Sequence, residues 1–226
     1  MNSPVEYEQT DARWRNIMYS GTNNPRETIG TDGCGPTCAA MVVATLRDKK
    51  VTPKEAAQWS MRNGCVSPND GTYWSFFGRY FSYWKIPCVQ TSDRAAAKAA
   101  LQNNLMVVTA MRKGHWTSVG HFILAYGLSG DKVKIHDPNS EASYRELGYQ
   151  SNYFNEAAQY WIIKEDWLME AKMLNIKDLD RKKTIEVVAV NIDGSNYIKL
   201  RDMEKLAPVV VGYDGVPTIK LNYKES

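Results

Sequence analysis

Cysteine, histidine and carboxylate side chains are the ones in this sequence best able to make and break bonds. Of the four cysteines, Cys34 has the most suggestive setting. It stands in Thr31-Asp32-Gly33-Cys34-Gly35-Pro36-Thr37, between two glycines, where a turn runs into an apolar stretch. Glycine neighbours let another backbone approach closely, and the positive end of a helix favours a thiolate over a thiol. Cys38, one turn further on, has apolar neighbours and reads as a packed residue. A nucleophilic thiolate needs an imidazole to exchange a proton with, a group to orient that imidazole, and donors for the oxyanion. His121 opens the strand-like run His-Phe-Ile-Leu-Ala-Tyr-Gly, and Asp137 closes the next run 16 residues later. One β-hairpin spans that separation, so adjacent antiparallel strands can set the carboxylate beside the ring. Taken singly, a histidine at a strand start is a half-buried residue and an Asp-Pro step is a turn. With Cys34 they compose a Cys-His-Asp triad. Gln9, in Tyr7-Glu8-Gln9-Thr10-Asp11, is on residue type alone a surface glutamine; beside the cysteine, its amide would donate to an oxyanion together with the N–H of Cys34.

These residues must be held by elements whose pattern is helices first and strands after. The segment from Gly33 reads as a turn entering a helix, with Pro36 tolerated in its first turn. Residues 52–64 carry a capping box of Thr52 with Glu55, Pro53 at the first helical position and Gly64 past the end. Residues 71–84 form an aromatic-rich helix candidate, and an alanine-rich helix follows with Ser92 as its expected cap. Four short β-branched and aromatic runs come next, at 105–112, 121–129, 132–137 and 159–164, with a turn at Ser129-Gly130-Asp131. Helices followed by strands predict an α+β fold with an antiparallel sheet. Cysteines end at Cys88 and histidines at His136, so the chemistry is expected within residues 1–170. The charged, helix-compatible residues 171–183 read as a helical connector. Residues 184–226 read as a small, mainly-β module with turns at Asp193-Gly194 and Asp214-Gly215 and a short helix near Arg201–Leu206.

Bulk properties narrow the class. A chain of 226 residues, 43% hydrophobic and 23% charged, has ordinary globular usage, which excludes disordered and fibrous classes. A net charge of +3 without a long basic run gives no case for nucleic acid. No apolar run reaches the roughly 18–20 residues of a membrane span, and the polar N-terminus has no secretory pattern, so synthesis in a cytoplasm with the cysteines as thiols is expected. No Cys-x-x-Cys pair or zinc-spaced histidine pair occurs, and neither a metal nor any other cofactor is expected. Seven Trp and thirteen Tyr suit carbohydrate or peptide grooves, and equally a core with hydrogen-bonded edges.

Five blocks, in order, resemble a known family: Tyr7-x-Gln9-x-Asp11-x-Arg13-Trp14, Gly33-Cys34-Gly35-Pro36-Thr37, Gly114-His115-Trp116-Thr117, Gly120-His121-Phe122-Ile123-Leu124 and Asp137-Pro138. They are similar to the papain-clan cysteine peptidases of family thirty-nine, the bacteriocin-leader-processing group, and more closely to soluble relatives in Gram-positive bacteria and their phages. The resemblance implies a papain-like domain whose central helix bears the nucleophile Cys34 and whose antiparallel sheet bears the base His121 and its orienting acid Asp137. It also implies Gln9 as oxyanion donor, and it places His115 and Trp116 in a loop near the site, either touching substrate or structural. His136, one residue from Asp137, reads as structural. The chain lacks the ATP-binding loop of the transporter-linked members. Residues 191–202 resemble a short module of clostridial phage lysins and wall amidases, related to the small N-terminal domain of copper amine oxidases. This stretch holds no histidine for copper, so wall attachment or pairing of two copies is the role implied.

The function expected from these readings is that of a phage or prophage endolysin, cleaving peptide or amide bonds of bacterial peptidoglycan after release to the wall, without membrane insertion. Tyr73, Trp74 and Trp116 are the expected groove aromatics, with His115 beside them. The alternatives are a cysteine peptidase processing proteins or leaders inside the cell, and a non-catalytic wall-binding protein on a peptidase scaffold.

Overall fold

A computed structural model describes residues 3–68, 71–139 and 147–164, together with strands at 170–178, 183–192, 195–198, 209–213 and 217–221. The chain divides into two compact units, Asn2–Trp167 and Leu168–Ser226.

In the first unit a one-turn helix, α1 (Ile29–Asp32), leads directly into α2 (Cys34–Leu46). Every residue of α2 from Gly35 to Ala44 is buried, which makes it the central helix of the main core. Its sequence is apolar around the whole circumference, as a helix enclosed on all sides must be. Helix α3 (Pro53–Arg62) begins with the expected capping box: Thr52 N–H donates to Glu55 at 3.0 Å, and Pro53 supplies the first turn. Gly64, at φ +63, lets the chain turn away after it. A two-residue hairpin, β1 (Val66–Ser67) and β2 (Gly71–Thr72), precedes α4 (Ser75–Tyr83), whose Phe76, Phe77, Tyr80 and Phe81 are buried in the main core. Helix α5 (Arg94–Gln102) is capped by Asp93 rather than by the expected Ser92. The Asp93 carboxylate accepts the Ala95 and Ala96 N–H groups, and a carboxylate there also meets the helix's positive end.

The strands β3 (Cys88–Thr91), β4 (Val107–Arg112), β5 (Gly120–Ser129), β6 (Lys132–His136), β7 (Leu147–Tyr149) and β8 (Ala157–Ile163) form one antiparallel sheet in the order β3-β8-β4-β5-β6-β7. A short helix, α6 (Gln150–Glu156), lies between β7 and β8. The sheet has a core on each face. Phe122, Leu124, Val108 and Trp161 pack with α2 and α4, whereas Ile123, Ala125, Val107 and Ile162 pack with α5 and α6. Alternate residues of one strand serve opposite cores, as the two-residue period of a strand dictates. Mixed helix and antiparallel sheet is the class expected, and Gly130 at φ +60 makes the turn between β5 and β6.

The second unit departs from expectation at its start. Residues within 171–183 were expected to form a helical connector; instead β9 (Glu170–Asp178) is a strand paired antiparallel with β10 (Lys183–Ile192). Helix propensity over Glu170–Leu174 is a weak local preference, and the β-branched run Thr184–Val190 offers a long partner that overrides it. β11 (Ser195–Ile198) extends this sheet, and β12 (Val209–Tyr213) pairs with β13 (Pro217–Leu221). The helix expected near Arg201–Leu206 lies outside the described residues, and so do both expected Asp-Gly turns at their glycines. No helix among the described residues is long and apolar enough to cross a membrane.

Candidate active site

Cys34 is the first residue of α2, half-buried against the main core. Its glycine neighbours are there for space. A Cβ at Gly33 would overlap the Ile29 carbonyl, and one at Gly35 would overlap the Thr72 side chain. α1 and β2 can therefore close on the helix start only because positions 33 and 35 carry no side chain. Pro36 costs no hydrogen bond so near the helix start.

His121 is the second residue of β5, opposite Met111 of β4. Asp137 follows directly on β6, and the register that sets Leu124 against His136 returns Asp137 alongside the start of β5. The His121 Nε2 and Asp137 Oδ1 atoms are 2.6 Å apart, with side-chain exposures of 8% and 0%. Asp137 Oδ1 also accepts the Asn139 N–H at 2.9 Å, which fixes the carboxylate in the turn after β6. Burial by itself pulls the His121 pKa down, but hydrogen bonds to Asp137 and Cys34, with the charges of both, outweigh it and push the value up to about 9. Two partners thus share one ring. Asp137 takes Nε2, leaving Nδ1 as the nitrogen to exchange a proton with Cys34.

The other cysteines are chemically quiet. Burial pushes the thiol of Cys38 well above its usual range and that of Cys88 up to about 12; it also raises Cys65, partly countered by the Arg79 charge. All four cysteines are free. No group of three metal-ligating side chains occurs among the described residues.

Gln9 is 3% exposed. Its backbone N–H donates to Pro138 O at 2.8 Å and its Nε2 to Gly30 O at 2.9 Å. It therefore links the turn bearing Asp137 to the short helix preceding Cys34. The rest of its sequence block holds it there. Trp14 Nε1 donates to Glu8 O at 2.7 Å, Tyr7 meets Trp14 edge-on at 5.7 Å, and Arg13, paired with Asp11, lies 4.3 Å over the Trp14 ring. His136 stacks on Tyr126 at 4.6 Å and meets Glu6 at 3.2 Å, tying down the same N-terminal arm.

The four expected substrate-contacting residues divide. Tyr73 and Trp74 are 44% and 45% exposed and directly follow Thr72, the residue against Gly35. The Trp74 ring stands edge-on to buried Trp161 at 5.8 Å. Trp116 is a correction. It is 1% exposed and packs against Tyr153 and Gly148 in the core on the α5–α6 face, so it is no groove wall. An indole filling the space left by a glycine buries more apolar area than it would on a rim. His115 is exposed, with its ring edge-on to Trp116 at 4.9 Å and its backbone N–H bound to Glu156 at 2.6 Å. Nothing in the sequence around Glu156 signals this bond; its position at the end of α6 creates it.

A profile of the Peptidase_C39 like family matches residues 8–166. Among solved structures, a chain from Bacillus anthracis that carries the name C39-like peptidase superposes with a TM-score of 0.43 at 14% identity, over 60% of this chain and 90% of that one. No curated protein matches the chain.

Proposed function

The chain belongs to the Peptidase_C39 like family, a family of cysteine peptidases, and from that premise we propose that its first unit is a papain-like peptidase that cleaves peptide or amide bonds of bacterial peptidoglycan, as a phage or prophage endolysin does. The observation that carries the catalytic assignment is the buried His121–Asp137 pair at 2.6 Å, whose ring also interacts with Cys34 at the start of α2. The Cys34 thiolate attacks the scissile carbonyl carbon, and the oxyanion that forms is met by the Cys34 N–H and by Gln9. Gln9 Nε2 spends one N–H on Gly30 O, and the second remains for the oxyanion. His121 gives its proton to the leaving amine as the C–N bond breaks, leaving a thioester on Cys34. Water then attacks the thioester, His121 takes its proton, and the carboxylic acid product departs. Asp137 holds the ring and offsets the imidazolium charge.

The wall substrate is supported by the likeness of the five sequence blocks to soluble relatives in Gram-positive bacteria and their phages, by the likeness of residues 191–202 to a lysin module, and by the exposed Tyr73 and Trp74 beside the helix start. Residues 184–226 are proposed to hold the enzyme on wall polymer or to pair two copies. The test is to add purified protein and a Cys34→Ala control to a panel of Gram-positive cell walls, following turbidity and new amino groups. Clearing with new amines, absent in the control, supports the reading. A Cys34 that reacts with a thiol-directed inhibitor while no wall clears overturns the wall substrate and leaves a protein-processing peptidase.

A further inference from the structure

The Gly114-His115-Trp116-Thr117 block has no part in the chemistry above, yet the loop it forms runs straight into His121. Its anchors lie on α6. The His115 N–H donates to Glu156 Oε2 at 2.6 Å, short enough for a charge-assisted bond. A Cβ at Gly114 would overlap the Glu156 carboxyl, so position 114 is open to let that carboxylate in. Trp116 meets Tyr153 edge-on at 6.2 Å and fills the space over Gly148, where a Cβ would overlap its ring. Tyr153 and Glu156 are three residues apart on α6, hence on one face. A carboxylate on the last turn of a helix is set against the helix's negative end, so the loop N–H supplies the favourable contact that the helix itself does not. At its far end the loop is pinned to β5: Thr117 Oγ1 donates to Gly120 O at 3.2 Å and accepts from Val119 N–H at 3.2 Å. That leaves Val119, two residues before His121, 80% exposed.

We propose that Glu156 and Trp116 stake the 113–119 loop so that Val119 presents an apolar surface to substrate beside His121, which makes Glu156 a positioning residue for substrate binding. The chemical class met by Val119 is a small apolar side chain, such as alanine in a stem peptide. His121 itself is held by β4 and Asp137, so the loop governs how substrate is held more than how the bond is broken. The substrate part of this inference rests on the function proposed above.

The test compares Glu156→Ala, Glu156→Gln and Val119→Ser with wild type, reading amine release from cell walls and the rate of trypsin cleavage after Lys113. Glu156→Ala is expected to raise the apparent KM about tenfold, as the loss of one charge-assisted bond implies, with kcat held within about twofold. It also speeds cleavage after Lys113. Glu156→Gln keeps an acceptor without the charge and restores both in part, and Val119→Ser raises KM without changing trypsin cleavage. An unchanged KM in Glu156→Ala, or a fall in kcat that follows a lowered melting temperature, overturns the proposal. If wild type releases no amines from any wall, the substrate assignment falls with the parent function, and the trypsin comparison alone decides whether the clamp exists.

Discussion

The imidazole of His121 is where burial, charge and hydrogen bonding meet. Its pKa is raised in the folded protein from an ordinary 6.5 to about 9, so the folded state holds a proton that the unfolded chain gives up earlier. The stability this contributes is fully present below pH 6.5 and is lost as pH rises through about 9. Melting temperatures measured from pH 6 to pH 10 are expected to fall across that window, and to fall less in Cys34→Ala, which lacks one of the two partners. In the proposed mechanism catalysis has the same alkaline limit, because the leaving amine needs the imidazolium. Asp137→Asn removes the charge that supports it. Its kcat is expected to drop on the order of 10²-fold, and its alkaline limb to move to lower pH, both read from initial-rate profiles.

Elements decide whether those side chains meet, and here glycine and caps have separable effects. Gly35→Ala pushes a methyl group into Thr72 and so between α2 and β2. Overpacking of this kind costs about 1–3 kcal/mol, and activity falls with it because the start of α2 is displaced. Thr52→Ala removes a cap at an exposed helix start and costs about 1 kcal/mol, with activity unchanged. Denaturant titration beside rate measurement separates the two cases. The same contrast explains what was legible in the sequence. The capping box, Gly64, the turn at Gly130 and the runs that became β4, β5, β6 and β8 carry their own local chemistry, and the spacing of His121 and Asp137 follows from one hairpin. Trp116 was misplaced because a tryptophan's type does not say which side of a sheet it faces; the glycine it rests on, Gly148, lies far along the chain. Glu156 was invisible for the same reason, since its partner is a backbone N–H on another strand connection. The strand β9 looks helical in sequence because its pairing partner, not its own residues, determines its form.

The whole molecule is two units, and Cys34, His121 and Asp137 all lie within Asn2–Trp167. A chain ending at Trp167 is expected to fold and to keep its rate on soluble stem peptides, while sedimentation with intact walls is weakened. Retention of full wall binding by that chain would remove the proposed role of residues 184–226. Within the first unit, β8 is the last strand made, yet it lies between β3 and β4. A growing chain therefore cannot join β3 to the rest of the sheet until residues 157–163 have emerged, and long-range pairing of this kind is slow. Synthesis itself thus imposes a delay: a ribosome-bound nascent chain already contains Cys34, His121 and Asp137 but not the strand that closes the sheet around them. The order in which the strands are made leaves the sheet beside Cys34, His121 and Asp137 unfinished until the first unit is nearly complete.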